Sequence, residues 1–347
     1  MTHNELRKDY LIDRWVVIAA GRGRRPTDFV RTEKAKVQAE ICPLCPGNEH
    51  MTPPAVLLYL EKDGEIARSR DENDFRHKGW KIRCVPNLYP AFTQPTKGFK
   101  QRLFKSFNLA VAVGHHEVLV ESPVHGEHPS DAGIQQLVHV VKAYADRLSE
   151  LSSRPYVRHV AIFRNHGLEA GASLSHAHSQ IVAMPFVPKI VKEEMQASRR
   201  YWREKGECAF CSLIRMERES PRFIMENSHF VVFAPWASVH PMEFWILPKN
   251  HRSSLLGISD NEMRDFAKTL KACFSGLKSL LNDPPYNFGF HLALGKAANQ
   301  HYHWHLEVYP KLVIWAGFEK STGVYINTVS PETAADSLKT TISSQSV

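Results

Sequence analysis

Cys42-Pro43-Leu44-Cys45, then His125, then His176-Ala177-His178-Ser179-Gln180; and again Cys208-Ala209-Phe210-Cys211, then His251, then His303-Trp304-His305-Leu306-Glu307. The chain carries one set of metal-ligand residue types twice, in the same order. His125 precedes His176 by 51 residues, and His251 precedes His303 by 52. The runs leading into the two single histidines, 116–124 and 242–250, also match, and Pro155-Tyr156 and Pro285-Tyr286 precede the two His-x-His segments. A twofold internal repeat with a zinc site in each half is the economical explanation.

A closed structural zinc site takes four nitrogen or sulfur ligands. Cys42, Cys45, His125 and His176 supply four and leave His178 free. Cys208, Cys211, His251 and His303 supply a second four and leave His305. A lone Cys-x-x-Cys reads equally well as a redox dithiol; its doubling beside matched histidines favours zinc, two ions per chain. Cys84 and Cys273 lie in apolar settings and read as small buried hydrophobes. Cysteines used this way fit a reducing, cytoplasmic compartment rather than a disulfide framework.

With 347 residues, 43% hydrophobic and 23% charged, the chain can bury a large core and fill two domains. No apolar run reaches membrane-spanning length, and residues 1–9 lack an apolar signal core. No membrane partner is expected. The net charge of +8 favours anionic ligands. Its Lys and Arg are spread along the chain rather than clustered with aromatics, so a nucleotide or sugar phosphate is expected and nucleic acid is not.

Strands are predicted near 14–19, 80–85, 116–121, 157–163, 229–234, 243–247 and 287–293. A polar loop is expected over 61–78. Apolar residues three to four apart predict a helix from about Ser130 to Leu151. Ser259-Asp260-Asn261-Glu262 is a capping box opening a helix to about Leu281. Pro188 to Lys205 reads as a charged amphipathic connector. The fold class is α+β: two tandem repeats, each a mostly antiparallel sheet with one long helix. The expected domains are 1–190 and 191–330, followed by a polar, frayed tail over 331–347.

On a strand, residues two apart share a face. His176, His178 and Gln180 are therefore expected on one face, with His176 on metal and His178 turned to a substrate. The loop Gly171-Ala172-Ser173 offers backbone N–H groups and a hydroxyl that suit a phosphate. A neutral His178 imidazole can attack an α-phosphorus, with Gln180 and Ser173 as neutral donors to its oxygens. The plainer alternative is a packed histidine in a non-catalytic, zinc-dependent nucleotide-binding protein. In the second half Glu307 replaces Gln180, and Ala297-Ala298-Asn299-Gln300 stands where the Gly-Ala-Ser loop would be. A carboxylate repels phosphate, so that half is expected to be structural.

At these residues the chain resembles the galactose-1-phosphate uridylyltransferase branch of the histidine-triad superfamily. Within it, the ADP-glucose phosphorylase-like members are the most similar. The resemblance covers nearly the full length. It rests on Glu5-Leu6-Arg7-Lys8-Asp9, Arg24-Arg25-Pro26-Thr27-Asp28-Phe29, Asn87-Leu88-Tyr89-Pro90-Ala91, Glu121-Ser122-Pro123-Val124-His125 and the segment from Ala170 to Gln180. Gly317-Phe318-Glu319 and Thr322-Gly323-Val324-Tyr325-Ile326-Asn327 also match.

The resemblance implies two half-barrels of histidine-triad type and a ping-pong nucleotidyl transfer with His178 as the nucleophile. It implies nucleotide contacts from Arg22, Arg25, Asn87, Asn165, Gly171, Ala172, Ser173 and Gln180. Phe318 and Glu319 would hold the sugar phosphate, across a dimer interface in the uridylyltransferases, so a homodimer is expected. Uridylyltransferases usually read Asn-Asp-Phe-Pro-Ala and His-Pro-His-Gly-Gln. Here Leu88 and Tyr89 replace Asp-Phe, and a second Cys pair is present. Both departures resemble the phosphorylase-like members. The implied reaction is ADP-glucose plus phosphate to ADP and glucose 1-phosphate; the alternative is UDP-glucose:hexose-1-phosphate uridylyl transfer.

Overall fold

Alternating apolar and polar residues set most of the strands, and antiparallel pairing joins eleven of them into one sheet. The structure, a computed structural model, describes residues 4–19, 26–30, 41–72, 75–96, 110–295 and 297–345. The first half contains β1 (Glu5–Lys8), β2 (Trp15–Ile18), β3 (Leu57–Lys62), β4 (Glu65–Ser69), β5 (Trp80–Pro86), β6 (His115–Val120), α1 (Ile134–Ser152), β7 (His159–His166) and β8 (His178–Met184). The connector is α2 (Lys189–Lys205). The second half contains α3 (Ala209–Arg218), β9 (Phe223–Glu226), β10 (Phe230–Phe233), β11 (Phe244–Pro248), α4 (Asp260–Leu281), β12 (Tyr286–His291) and β13 (His305–Pro310). The chain closes with α5 (Gly317–Thr322), β14 (Tyr325–Asn327) and α6 (Pro331–Gln345).

The large sheet runs β4-β3-β5-β6-β8-β7-β12-β13-β11-β10-β9. Outward from its centre, β7, β8, β6, β5 and β3 on one side answer β12, β13, β11, β10 and β9 on the other. The repeat is therefore real, and its halves are fused. At the seam Asn165 lies opposite Asn287, and His166 opposite Tyr286. One core spans both halves, with Val141, Tyr144 and Leu148 of α1, Phe266 and Phe274 of α4, and Ile162, Ile181, Phe288 and Leu306 of the sheet. Burying each such side chain stabilises the fold by roughly 1.5–3 kcal/mol. The capping box holds as expected: Ser259 accepts the Glu262 N–H, and the Glu262 carboxylate accepts the Ser259 N–H at 2.8 Å. No helix among the described residues is long and apolar enough to cross a membrane.

Three expectations are corrected. Much of 61–78, expected as loop, is the β3–β4 hairpin. Its turn is Asp63-Gly64, both at positive φ (53° and 81°), the Asp-Gly signal of a tight hairpin. Because β4 is an edge strand facing largely to solvent, its composition looks loop-like. Residues 5–18, expected in 1–190, also pack on the second half: β2 pairs parallel with β14, and Val16 and Ile18 pack on Ala237 and Val239. Finally, 331–345 is not frayed. Ala334, Ala335, Leu338 and Ile342 form a buried stripe on α6, which packs on α4 beside Gly276. A Cβ at Gly276 would come within 2.7 Å of the Ile342 side chain. Arg7 and Arg222 hold Glu332 in the first turn of α6 at 3.0 and 3.1 Å. The Ser/Thr content masks this stripe.

Leu338 is 1% exposed. Leu338→Ala should lower unfolding stability by about 2–5 kcal/mol, read from urea denaturation. A change within ~0.5 kcal/mol would mean that α6 does not stay docked.

Candidate active site and metal centres

The first ligand set comes together from three segments. Cys42 and Cys45 flank a turn closed by the Cys45 N–H on the Cys42 carbonyl at 3.2 Å. Cys45 Sγ lies 3.2 Å from His125 Nδ1 and 3.4 Å from His176 Nδ1, and Cys42 Sγ lies 3.6 Å from His176 Nδ1. His176 Nε2 donates to the Ser122 carbonyl at 2.8 Å, so its Nδ1 faces the sulfurs as a bare acceptor. His125 Nε2 lies 3.0 Å from Ser175 Oγ.

The second set repeats this. Cys211 Sγ lies 3.4 Å from His251 Nδ1 and 3.6 Å from His303 Nδ1; the two Nε2 atoms each donate at 2.7 Å, to the Asn299 and Pro248 carbonyls. Here Cys208 caps the unexpected helix α3. In both sets the ligand atoms lie within 4.8 Å of one another. Burial lowers the His176 and His303 rings below their usual values, which keeps them in the neutral form a metal requires. The Cys211 thiol first, then the His251 and His303 rings, hold the Cys208 thiol well below its usual range. Two thiols and two imidazoles, each oriented through its Nε2 by a carbonyl or, for His125, the Ser175 hydroxyl, fit a tetrahedral zinc ion.

His178 opens β8 and is buried. His176 lies just before the strand, so only His178 and Gln180 share the strand face. The His178 Nδ1–H donates to the His176 carbonyl at 2.7 Å, which leaves Nε2 with its lone pair outward. Burial above all, joined by the Arg164 charge, holds the His178 imidazole below its ordinary value against the His176 hydrogen bond. Behind the strand, Ser179 and Arg164 both bind the buried Glu121 carboxylate, and Tyr144 OH reaches it at 3.1 Å. This paired charge stands next to the nucleophile candidate without facing the site.

Gly171 stands at φ 87°, the left-handed region, where a Cβ would be strained. The Ala172 N–H donates to the Gly167 carbonyl at 3.1 Å, and Ser173 is exposed. Asn165 faces Gly171: a Cβ there would lie 3.8 Å from Asn165 Nδ2. Asn287 of the other half donates to both Asn165 Oδ1 at 2.8 Å and the Ala170 carbonyl at 2.7 Å. Sequence reasoning passed over Asn287, which meets Asn165 only through the antiparallel pairing of β12 with β7.

Asn87 and Gln180 both meet His116, at 3.2 and 2.7 Å. Leu88 and Tyr89 are exposed beside them. Arg22 and Arg25 lie outside the described residues. Phe318 and Glu319 sit on α5, where Glu319 accepts the Ala316 N–H of its own helix at 2.9 Å. No hydrogen bond among the described residues joins them to His178.

The second half's counterpart is closed. His305 is fully buried. Its Nε2 lies 3.1 Å from Glu307, and Phe210 and Trp245 pack on its ring. Glu194 of α2 joins His291 at 2.8 Å and Tyr302 at 2.7 Å. Burial favours neutral groups here, yet Glu194 and Glu307 push His291 up to about 9. Glu194, His291, His305 and Glu307 bring their ligand atoms within 4.8 Å of one another, a grouping not legible in the sequence because α2 supplies one member.

Comparison with known proteins agrees with this geometry. The galactose-1-phosphate uridyl transferase N-terminal domain matches residues 67–188, and a domain of unknown function (DUF4921) matches 130–346. The chain is 34% identical to an ADP-glucose phosphorylase of Arabidopsis thaliana, over 95% of this chain and 91% of that protein. It is 30% identical to a galactose-1-phosphate uridylyltransferase of Thermotoga maritima, over 97% and 98%. The crystal structure of an Arabidopsis thaliana ADP-glucose phosphorylase with bound ADP-glucose superposes with a TM-score of 0.80, at 33% identity, covering 97% of this chain and 99% of that one. Such identity over nearly the whole length, on a site with these residues, means that the chain belongs to the galactose-1-phosphate uridylyltransferase family and is an enzyme of the nucleotidyltransferase type.

Proposed function

We propose that this protein is an ADP-glucose phosphorylase that works by double displacement through His178. The observation that carries this reading is the His178 ring itself, anchored through Nδ1–H on the His176 carbonyl, with no hydrogen bond to Nε2 among the described residues, beside Gln180. Nε2 attacks the α-phosphorus of ADP-glucose. The bond from that phosphorus to the bridging oxygen breaks, and glucose 1-phosphate leaves with the electron pair. The positive charge gained by the ring is shared with the His176 carbonyl through Nδ1–H. Phosphate then attacks the same phosphorus, releases His178 and forms ADP. Gln180 and Ser173 donate to the phosphoryl oxygens, while the Gly171 and Ala172 N–H groups bond to the Leu168 and Gly167 carbonyls at 2.9 and 3.1 Å and shape the loop. Asn87, Asn165 and, by the family resemblance, Arg22 and Arg25 hold the nucleotide. The relation to the ADP-glucose-bound Arabidopsis enzyme and the apolar Leu88 and aromatic Tyr89 support adenosine over uridine. The Thermotoga relative supports the second reading, uridylyl transfer to a hexose 1-phosphate.

Nucleotide sugar alone should leave a base-stable, acid-labile nucleoside monophosphate on His178, read by intact mass and peptide mapping. His178→Ala should remove it and slow turnover by at least ~10³-fold, while His305→Ala should keep it. Because burial lowers the His178 value, the neutral ring persists below pH 6.5, and adduct formation should stay level from pH 8 through 6.5 and fall only at lower pH. In equal mixtures ADP-glucose should outcompete UDP-glucose by about 10- to 100-fold, the worth of one buried polar contact. A faster adduct from UDP-glucose would transfer the assignment to the second reading, and an adduct on another residue would remove both.

Two zinc ions per chain would be held by the two Cys/Cys/His/His groups. Bound there, zinc would tie distant segments of the chain together. Elemental analysis should give about two zinc per chain, and chelation should unfold the protein rather than merely slow it. One ion per chain, lost with Cys208→Ser or with Cys42→Ser, would show which set is empty. All six cysteines are free thiols, which supports the cytoplasmic reading.

The exposed Ile314 and Phe318 support a homodimer in which α5 reaches the partner's site. Sedimentation should therefore show a dimer at micromolar concentration, and a strict monomer would rule it out.

A further inference from the structure

We propose that His116 is the residue that sets the polarity of the active site, by locking the Gln180 carboxamide with its NH2 group toward the substrate. The proposal rests on adenylyl or uridylyl transfer at His178, and it adds a positioning residue to that reaction. His116 and Gln180 lie on neighbouring strands: Val118 of β6 is opposite Gln180 of β8, and His116 is one step along the same face. His116 is half-buried there.

The tautomer follows from the partners. Ala91 presents a backbone N–H to His116 Nδ1 at 3.1 Å. A backbone N–H can only donate, so Nδ1 carries no proton. The neutral ring must then be protonated at Nε2. Nε2 lies 2.7 Å from Gln180 Oε1 and donates to it. Gln180 thus has its oxygen occupied and its NH2 turned away from His116. A free carboxamide could turn either end to a phosphoryl group, and the oxygen end would repel it. Held this way, Gln180 is a donor before substrate arrives, so no reorientation is needed during reaction.

The same proton governs Asn87. Asn87 Oδ1 accepts the Tyr89 N–H at 2.8 Å, which points its NH2 at His116, 3.2 Å from Nε2. Two donors face one another there, so the Asn87 N–H groups do not bond to His116 and stay available for a ligand oxygen. One imidazole therefore fixes the 87–91 loop through Ala91, Gln180 through Nε2–H, and the open donors of Asn87. A doubly protonated ring could not accept from Ala91, and the Nδ1–H tautomer would reverse Gln180. Of the three states of His116, only the Nε2–H form bonds both to the Ala91 N–H and to Gln180 Oε1, and it leaves the Asn87 NH2 without an acceptor on the ring.

The test reads both the tautomer and its consequence. In ¹⁵N-histidine-labelled protein, long-range ¹H–¹⁵N spectra should show His116 with a bare Nδ1 and a protonated Nε2 at neutral pH. An Nδ1–H form, or a rapidly exchanging mixture, would overturn the proposal whatever the protein's activity. In single turnover at saturating ADP-glucose, His116→Phe should slow formation of the His178 adduct by about 10- to 100-fold. His116→Gln, whose carboxamide can accept from Ala91 and donate to Gln180, should recover most of that rate. In a Gln180→Ala background, His116→Phe should change the rate less than about threefold, because the group it acts through is gone. Equal losses in both backgrounds would show that His116 acts only on stability or on another group, and the proposal would fall. A wild-type protein that forms no adduct with ADP-glucose or UDP-glucose would instead refute the transferase reading. The NMR result would then still decide whether His116 holds Gln180 as a donor.

Discussion

The antiparallel pairing of β7 with β12 is the constraint on which the rest of the molecule depends. A repeat unit of this kind ends in strand edges whose N–H and C=O groups need partners. Here each half supplies the partner of the other, so two five-strand sets close into one sheet with β4 added at its rim. The seam also packs α1 beside α4 over a single core. It brings Asn287 onto Asn165 and the Ala170 carbonyl, and it sets Pro285 against Gly167, where a Cβ would come within 2.8 Å. The phosphate-loop candidate is therefore braced by the second half.

Two His-x-His segments of one origin meet opposite fates because different things cover them. In the first half the strand face bearing His178 and Gln180 turns its polar groups toward His116 and the 87–91 loop. In the second half α2 and α3 lie over the equivalent face, and Glu194, Phe210 and Trp245 enclose His305. Closure strengthens charge interactions, and the carboxylates there are matched by His291 and His305. The buried network stands at the place where the first half keeps the His178 ring, itself buried, beside Gln180.

Behind the open site, Glu121 links the metal centre to the nucleophile candidate. Its backbone N–H bonds to Ala177 at 3.0 Å, its carboxylate gathers Ser179, Tyr144 and Arg164, and the next residue, Ser122, offers the carbonyl that orients His176. The lone pairs of a buried carboxylate are thereby satisfied. The same few residues fix the positions of His176 and His178. The candidate metal group and the His178 ring thus share one rigid support, which matters because a misplacement of about 1 Å at a reacting group can cost ~100-fold in rate.

The sequence by itself determined the repeat, both Cys/Cys/His/His groups, the long helices and the chemical difference between Gln180 and Glu307. Those features are local or recur at fixed spacing, so residue type and periodicity carry them. It also placed Asn165, Gly171 and Ala172 near one another, because they are close along the chain. The tertiary structure alone decided that Asn287 clamps Asn165, that His116 meets Gln180 across 64 residues of chain, and that Glu194 of the connector seals His305. It also decided that residues 331–345 form a docked helix and that β2 closes on β14. In each of these cases the informative fact is a partner, not a pattern. A hydrogen bond between neighbouring strands, or an apolar stripe hidden among Ser and Thr, leaves no periodic trace until the sheet sets the two groups side by side.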